Sequence, residues 1–323
     1  MKTFKDSAIE IMNNIENIAT QGTLAGESTG FKALDELTAG ISVGEIWSVV
    51  SSPVIPKELL VHSMISNWAR KDKSPTVLSY LSQRSEVSMG MSVLASTGLI
   101  RKRNLIACQL GTVDWPKGAH AADILSKKKI LSKNVSFIDV KDIKRYLATL
   151  KTEKNLPEHT ILFIDSFKSI TLGKKQKLNA SNRLNQIEQA LFHLKQTLRE
   201  YNASAIILQD LSAKMERRPN KRPFWTDMVP EGESLYCISD VVLGLYIDEF
   251  YNRQTEDKGI AEIIVLKNTK GETDTVRVAY VPEYDLFCNV GVPEGTKEQF
   301  SVSPVSDLRE LSKFDNLKLE KGV

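Results

Sequence analysis

The chain is expected to fold as an α/β domain whose mostly parallel central sheet is covered by helices on both faces. Three features carry this expectation. Residues 45–51, 160–165 and 204–209 are short, almost continuously apolar runs, the signature of strands buried on both sides. Longer segments with helical spacing, such as 57–69 and 182–201, separate them. Strand and helix then alternate along most of the chain, which places the strands side by side in one sheet.

Taken in order, residues 5–19 read as one amphipathic helix, with Ala8, Ile11 or Met12, Ile15 and Ile18 at helical spacing. Residues 21–28 read as a linker. A short helix over 31–37 stops at Ala39-Gly40. The strand at 45–51 leads into the helix at 57–69, the strand at 76–81 into a helix at 87–96. A short strand is expected at 135–139, then the strand at 160–165, which ends in an acid. The long helix at 182–201 precedes the strand at 204–209. Residues 241–246 and 261–267 are strands, and 275–280 is half of a closing hairpin. The domain expectation is a linker helix and linker over 1–28, a core over 29–290 and a polar, Pro- and Lys/Glu-containing tail over 291–323.

A chain of 323 residues with 41% hydrophobic and 26% charged residues can bury a large core without staples. Cys108, Cys237 and Cys288 are far apart and form no metal-binding spacing, which excludes a zinc module and fits a reducing compartment. His62, His120, His159 and His193 are scattered and read as structural or surface residues. There is neither an apolar signal core nor a run near the ~20 apolar residues of a membrane span, so a soluble, cytoplasmic protein without a membrane partner is expected. The net charge of +3 is too small to imply nucleic-acid binding by itself. Clustering matters more: Arg101–Arg103, Lys127–Lys129 and the stretch from Lys214 to Arg222 are the basic runs.

In an open α/β sheet, ligands bind beyond the carboxyl ends of the strands. The first core strand runs into Ser51-Ser-Pro-Val-Ile-Pro56-Lys57-Glu58 and then a helix, the place for a phosphate loop of pattern G-x-x-x-x-G-K-[ST]. Only Lys57 of that pattern is present. Ser51 and Pro56 stand for the glycines and Glu58 for the hydroxyl residue. Pro56 removes a backbone N–H and fixes φ where close approach to phosphate needs glycine. Glu58 puts a carboxylate where a hydroxyl would ligate Mg²⁺, and it repels a triphosphate at close range.

Several ordered phrases resemble the C-terminal motor domain of DnaB-type helicases, over about residues 5–290. They are Thr29-Gly-Phe-Lys-Ala-Leu-Asp-Glu-Leu-Thr-Ala-Gly-Ile41, the helix from Asn182, the region Lys221-Arg-Pro to Asp227 and Glu231-Gly232, and the closing strands near Asp240 and Lys258. The resemblance implies a RecA-like P-loop NTPase fold with an N-terminal linker helix that docks on an adjacent subunit. It also implies that the family's N-terminal primase-binding domain is missing from this chain. Carried over residue by residue, Asp165 is the metal-organising acid and Gln83 stands where a glutamate would activate water. The polar sensor falls at Gln209 or Asp210. The family's Lys-x-Arg finger reads Lys267-Asn-Thr269, with Lys270 one residue beyond, so the arginine is replaced. An amide at position 83 orients water but takes no proton.

On this resemblance Lys214, Arg217, Arg218, Lys221 and Arg222 lie in a loop that would face single-stranded DNA, with Glu231 and Gly232 closing it. The expected function is that of a catalytically degenerate helicase paralogue from a phage or mobile-element replication system. It would bind single-stranded DNA, form a homo-oligomeric ring, or join a hetero-assembly with a replicative helicase. ATP and Mg²⁺ are cofactors only through whatever Lys57 and Asp165 retain. Two alternatives stay open: an active 5′–3′ helicase with an atypical phosphate loop, and a protein-interaction scaffold that ignores DNA.

Overall fold

In a computed structural model of the chain, the described residues are Phe4, Ala8, Met12, Glu16, 24–152, 159–173 and 180–290. Apart from Ala8, Met12 and Glu16, the expected helix over 5–19 lies outside them, and so does the tail over 291–323. The elements in chain order are α1 (Lys32–Thr38), β1 (Ile46–Ser51), α2 (Glu58–Ala69), β2 (Thr76–Leu81), α3 (Glu86–Gly98), α4 (Lys102–Ile106), α5 (Asp114–Ser126), β3 (Ile130–Asn134), β4 (Ile138–Asp139), α6 (Val140–Thr152), β5 (Thr160–Asp165), β6 (Ile170–Thr171), α7 (Ala180–Glu200), β7 (Ala203–Asp210), α8 (Glu233–Ile238), β8 (Val241–Tyr246), β9 (Ile260–Asn268), β10 (Thr275–Val281) and β11 (Leu286–Asn289).

Nine of the strands form one sheet in the order β11-β10-β9-β8-β1-β7-β5-β2-β3. From β8 to β3 every pairing is parallel, and β9, β10 and β11 close the other side as an antiparallel meander. The apolar runs of β1, β5 and β7 are what a strand buried on both faces requires. Alternate residues supply opposite layers: Trp47, Val49, Ile206 and Leu208 pack with α2 and α3 on one face. Ile46, Val50, Ala205 and Ile207 pack with α6 and α7 on the other.

Register matters for function. Ser51 pairs with Asp210, and Leu81 pairs with Asp165. The carboxyl ends of β1, β7, β5 and β2 therefore meet at one edge of the sheet, where α2 begins. The strand expected at 135–139 is corrected. The edge strand is β3, largely exposed, and only Ile138–Asp139 of the expected run is extended, in a separate two-stranded pair with β6.

The Thr29–Ile41 phrase has a structural role. The Asp35 carboxylate accepts hydrogen bonds from the Thr29 amide at 2.8 Å, the Thr29 hydroxyl at 2.7 Å, the Ser28 hydroxyl at 2.6 Å and the Gly30 amide at 3.2 Å. Gly30 adopts φ +87°, and a Cβ there would lie 2.2 Å from the Asn67 amide on α2. The phrase straps the entering chain to α2, the helix that follows the phosphate turn.

Candidate functional site

The turn between β1 and α2 directs two of its amides onto its own carbonyls. Ile55 N–H donates to the Ser52 carbonyl at 3.1 Å and Lys57 N–H to the Ile55 carbonyl at 2.8 Å. Pro53 and Pro56 have no N–H to offer. The Ser51 hydroxyl also closes inward, onto the Ser52 carbonyl at 2.8 Å. No residue from 51 to 58 has positive φ, so the left-handed backbone of a phosphate-cradling nest is not formed. Ile55 is buried in the core beneath the turn and holds it down.

Side chains fill the space this turn faces. Lys57, 5% exposed, is ion-paired with Asp210 at the end of β7. Glu58 Oε1 meets Arg84 at 2.9 Å, and the other end of the same guanidinium meets Asp165 Oδ2 at 3.0 Å. Burial pushes the Glu58 carboxyl up from its ordinary value, and the Arg84 guanidinium pulls it back part of the way. Glu58 Oε2 is buried without a hydrogen-bond partner. On the outer side Ser52 Oγ bonds to Glu216, which also accepts from the Tyr251 hydroxyl at 3.0 Å. The turn thus faces more carboxylates than cations. Arg84, Glu216, Ser52 and Tyr251 were not among the residues singled out from sequence. The one available signal was Glu58 itself, a carboxylate that must find a cation if it is to be buried.

Of the expected site residues, Ser51, Pro56, Lys57, Glu58, Asp165 and Asp210 come together at this edge. Gln83 lies in the exposed turn after β2 and donates to Ser166 Oγ at 3.0 Å. The choice between Gln209 and Asp210 separates cleanly: Asp210 holds Lys57, whereas Gln209 is 3% exposed and packed on Gly232. A Cβ on Gly232 would sit 2.0 Å from the Gln209 amide, so a larger residue there displaces the Gln209 side chain.

Lys267, Thr269 and Lys270 are on the opposite edge. Lys267 pairs with Val242 near the start of β8, which runs parallel to β1. Its ammonium donates to the Tyr236 and Cys237 carbonyls at 2.8 and 2.9 Å, and burial lowers its pKa. Thr269 N–H bonds to the Asp240 carbonyl at 2.9 Å, and Lys270 pairs with Glu45 at 3.0 Å. These groups lie a full strand length, roughly 17–20 Å, from the phosphate turn of their own chain.

The basic loop is not a row of free cations. Arg218 makes a two-nitrogen bond to Asp227, both contacts 2.9 Å, and lies 4.7 Å above the Phe224 ring. Arg222 grips Glu262 with two contacts of 2.6 Å and stacks on Tyr246 at 4.7 Å. The Lys221 ammonium caps the Glu216 carbonyl. Lys214 and Arg217 are exposed, as are Phe224 and Trp225, and Glu231 forms a surface pair with Lys168 at 2.9 Å.

The family model described as the DnaB-like helicase C terminal domain matches residues 26–289. The chain belongs to the DnaB-like helicase family. Over 290 residues it is 31% identical to the replicative DNA helicase DnaB of Geobacillus stearothermophilus, covering 90% of this chain and 62% of that one. Over 302 residues it is 31% identical to the replicative DNA helicase DnaC of Bacillus subtilis, covering 91% and 65%. The chain therefore spans under two thirds of the length of these relatives. Among solved structures, the ATPase domain of G40P superposes with a TM-score of 0.81 at 24% identity, covering 90% of this chain and all of that one. A DnaB-like replicative helicase studied with primase superposes with a TM-score of 0.78 at 24% identity, covering 90% and 68%. These likenesses support the RecA-like fold. Among the described residues of this DnaB-like domain, no helix is long and apolar enough to cross a membrane.

In P-loop NTPases Mg²⁺ is held by the hydroxyl residue after the loop lysine and by an acid at the end of another strand of the sheet. The residues expected from sequence at those positions are Glu58 and Asp165, and Arg84 bonds to both. The residues present do not fit Mg²⁺ with a nucleotide.

Proposed function

We propose that this DnaB-like domain has lost ATP hydrolysis and acts by binding, to single-stranded DNA and to other helicase-type subunits. One observation carries the proposal: the lysine, the acid and the post-lysine residue of the phosphate site are all ion-paired with protein groups. Bringing in a triphosphate would mean breaking the Lys57–Asp210 pair and placing anionic oxygens beside buried Glu58. Of the nearby amides, those of Ile55 and Lys57 are bonded within the turn, and Pro53 and Pro56 have none to offer. Lys267 and Lys270 lie on the opposite edge, held by the Tyr236 and Cys237 carbonyls and by Glu45, so they supply no cation to this chain's own phosphate turn.

In a DNA-stimulated ATPase assay the expected turnover is indistinguishable from that of Lys57→Ala. Turnover that Lys57→Ala abolishes would sink the proposal. For DNA, Lys214 and Arg217 are the unpaired members of the loop cluster among the described residues. Replacing both with alanine is expected to weaken oligo-dT binding and to reduce the slope of log K against log salt by about 1.4, at about 0.7 per phosphate contact on a single strand. An unchanged slope would favour the scaffold reading, which the commitment of Arg218 and Arg222 to Asp227 and Glu262 already supports in part.

A further inference from the structure

We propose that Arg84 is a built-in cation that replaces the divalent metal between Glu58 and Asp165, so that removing Arg84 alone uncovers a divalent-cation site. The inference rests on the proposal that metal–nucleotide chemistry has been lost from this edge, and it names the group that took over the metal's position. Glu58 and Asp165 are 8% and 2% exposed, and they come from different elements, the first turn of α2 and the end of β5. Buried carboxylates at such close quarters repel each other unless a cation lies between them. The guanidinium of Arg84 does so with separate nitrogens, Nη2 to Glu58 at 2.9 Å and Nη1 to Asp165 at 3.0 Å.

Arginine suits this role. It is charged at every accessible pH, its planar fork engages two carboxylates at once, and it makes no demand for an octahedral shell of oxygens. Among the described residues no other cation is bonded to this pair. Lys57 is engaged by Asp210, and His62, which faces Arg84 from α2, is buried and kept neutral. The remaining acceptor capacity is visible as well, in the buried Glu58 Oε2 that no hydrogen bond satisfies. Without Arg84, this oxygen, its partner Oε1 and Asp165 form an acidic pair open on the side from which the Arg84 chain, 35% exposed, now enters. Hard oxygen ligands of this kind select Mg²⁺ or Mn²⁺.

The test is thermal unfolding of the full chain with MgCl₂ or MnCl₂ against KCl of equal ionic strength. The wild type is expected to show no metal-specific change in Tm. Arg84→Gln is expected to lower Tm by roughly 5–10 °C and to recover most of that loss with either metal. Arg84→Lys keeps the charge and is expected to stay metal-insensitive. In Arg84→Gln combined with Glu58→Gln, the loss shrinks and the metal response disappears. A wild type that gains Tm with metal, or an Arg84→Gln protein that loses stability without metal rescue, would overturn the proposal. Should Arg84→Gln not fold, Mn²⁺ binding to the wild type followed by its spin-resonance signal decides instead. The free-ion signal is expected throughout, and a bound fraction that Glu58→Gln removes overturns the assignment. Lys57-dependent ATP turnover would refute the loss of hydrolysis, whereas these metal responses report on Arg84 alone.

Discussion

Asp35→Ala is expected to cost about 3–5 kcal/mol of folding stability, although the residue lies away from the phosphate turn. Hydrogen bonds to a charged group contribute about 1.5–3 kcal/mol each, and a buried donor left without its acceptor costs about 1–3 kcal/mol. Asp35 is 6% exposed and accepts from both the amide and the hydroxyl of Thr29, which is fully buried. Alanine leaves both donors facing apolar side chains. It also frees residues 28–30 from α2, where Trp68 Nε1 donates to the Ser28 carbonyl at 2.7 Å and Asn67 Nδ2 to the Thr29 carbonyl at 3.2 Å. These contacts belong to one cooperative strap, so the separate terms do not simply add. Asp35→Asn keeps the shape but sets an NH₂ group against donors, and about half the loss is expected. Urea unfolding monitored by circular dichroism reads both variants as shifts in midpoint at constant slope. A loss below about 1 kcal/mol for alanine would show that water or a neighbour satisfies Thr29, and the strap would not be what holds the family phrase together.

The parts of this fold legible in sequence are those whose burial leaves a pattern. β1 and β5 are buried along their whole length and β7 up to Asp210, and their apolar runs end where the strands end, within a residue or so. α5 was invisible for the opposite reason. It buries only Ala121 and carries Pro116 and Gly118, so neither periodicity nor propensity marks it; proline is tolerated there because it falls in the first turn. α6, by contrast, leaves a periodic pattern. Its buried residues Val140, Ile143, Leu147 and Leu150 are at helical spacing. The candidate site divides in the same way. Lys57 and Asp165 could be placed because each ends or follows a legible strand. Arg84 and Glu216 could not, because their roles depend on which partners the sheet order brings near. β2 lies beyond β7 and β5 from β1, yet the turn after it reaches the start of α2. The basic loop shows the same dependence on partners brought in by the fold. Five cations close together in sequence suggest a DNA-facing row, but Asp227 and Glu262, one of them 40 residues away, engage two of them.

The pH dependence of stability should be dominated by two histidines. His62 lies on α2 one turn beyond Glu58. It is 2% exposed, its ring is set edge-on to Phe163, and Nδ1 has no hydrogen-bond partner. Burial, with help from the charges of Arg84 and Lys102, depresses its pKa to about 3. Burial likewise depresses His159 to about 4, while its Nε2 lies 2.9 Å from the Ser204 hydroxyl. In the unfolded chain both titrate near 6.5. The sign follows: below pH ~6.5 the unfolded state takes up protons that the fold refuses, so stability is complete above that value and falls as pH drops toward 4. Each histidine contributes a slope of about 1.4 kcal/mol per pH unit across this window, about 2.7 kcal/mol per unit together. Glu58 opposes them weakly, since its raised pKa lets the fold accept a proton as the pH falls. Measured by urea unfolding at pH 7.5, 6.0 and 5.0, the wild type should lose about 4 kcal/mol by the last point, about 2 kcal/mol from each histidine. His62→Leu replaces a neutral, unbonded ring with an apolar side chain and removes one titrating group, so its acid slope should be about half that of the wild type. An identical slope in the two proteins would mean that His62 accepts a proton inside the fold. Arg84 would then have a second cation beside it, and the charge balance inferred for the phosphate turn would fail.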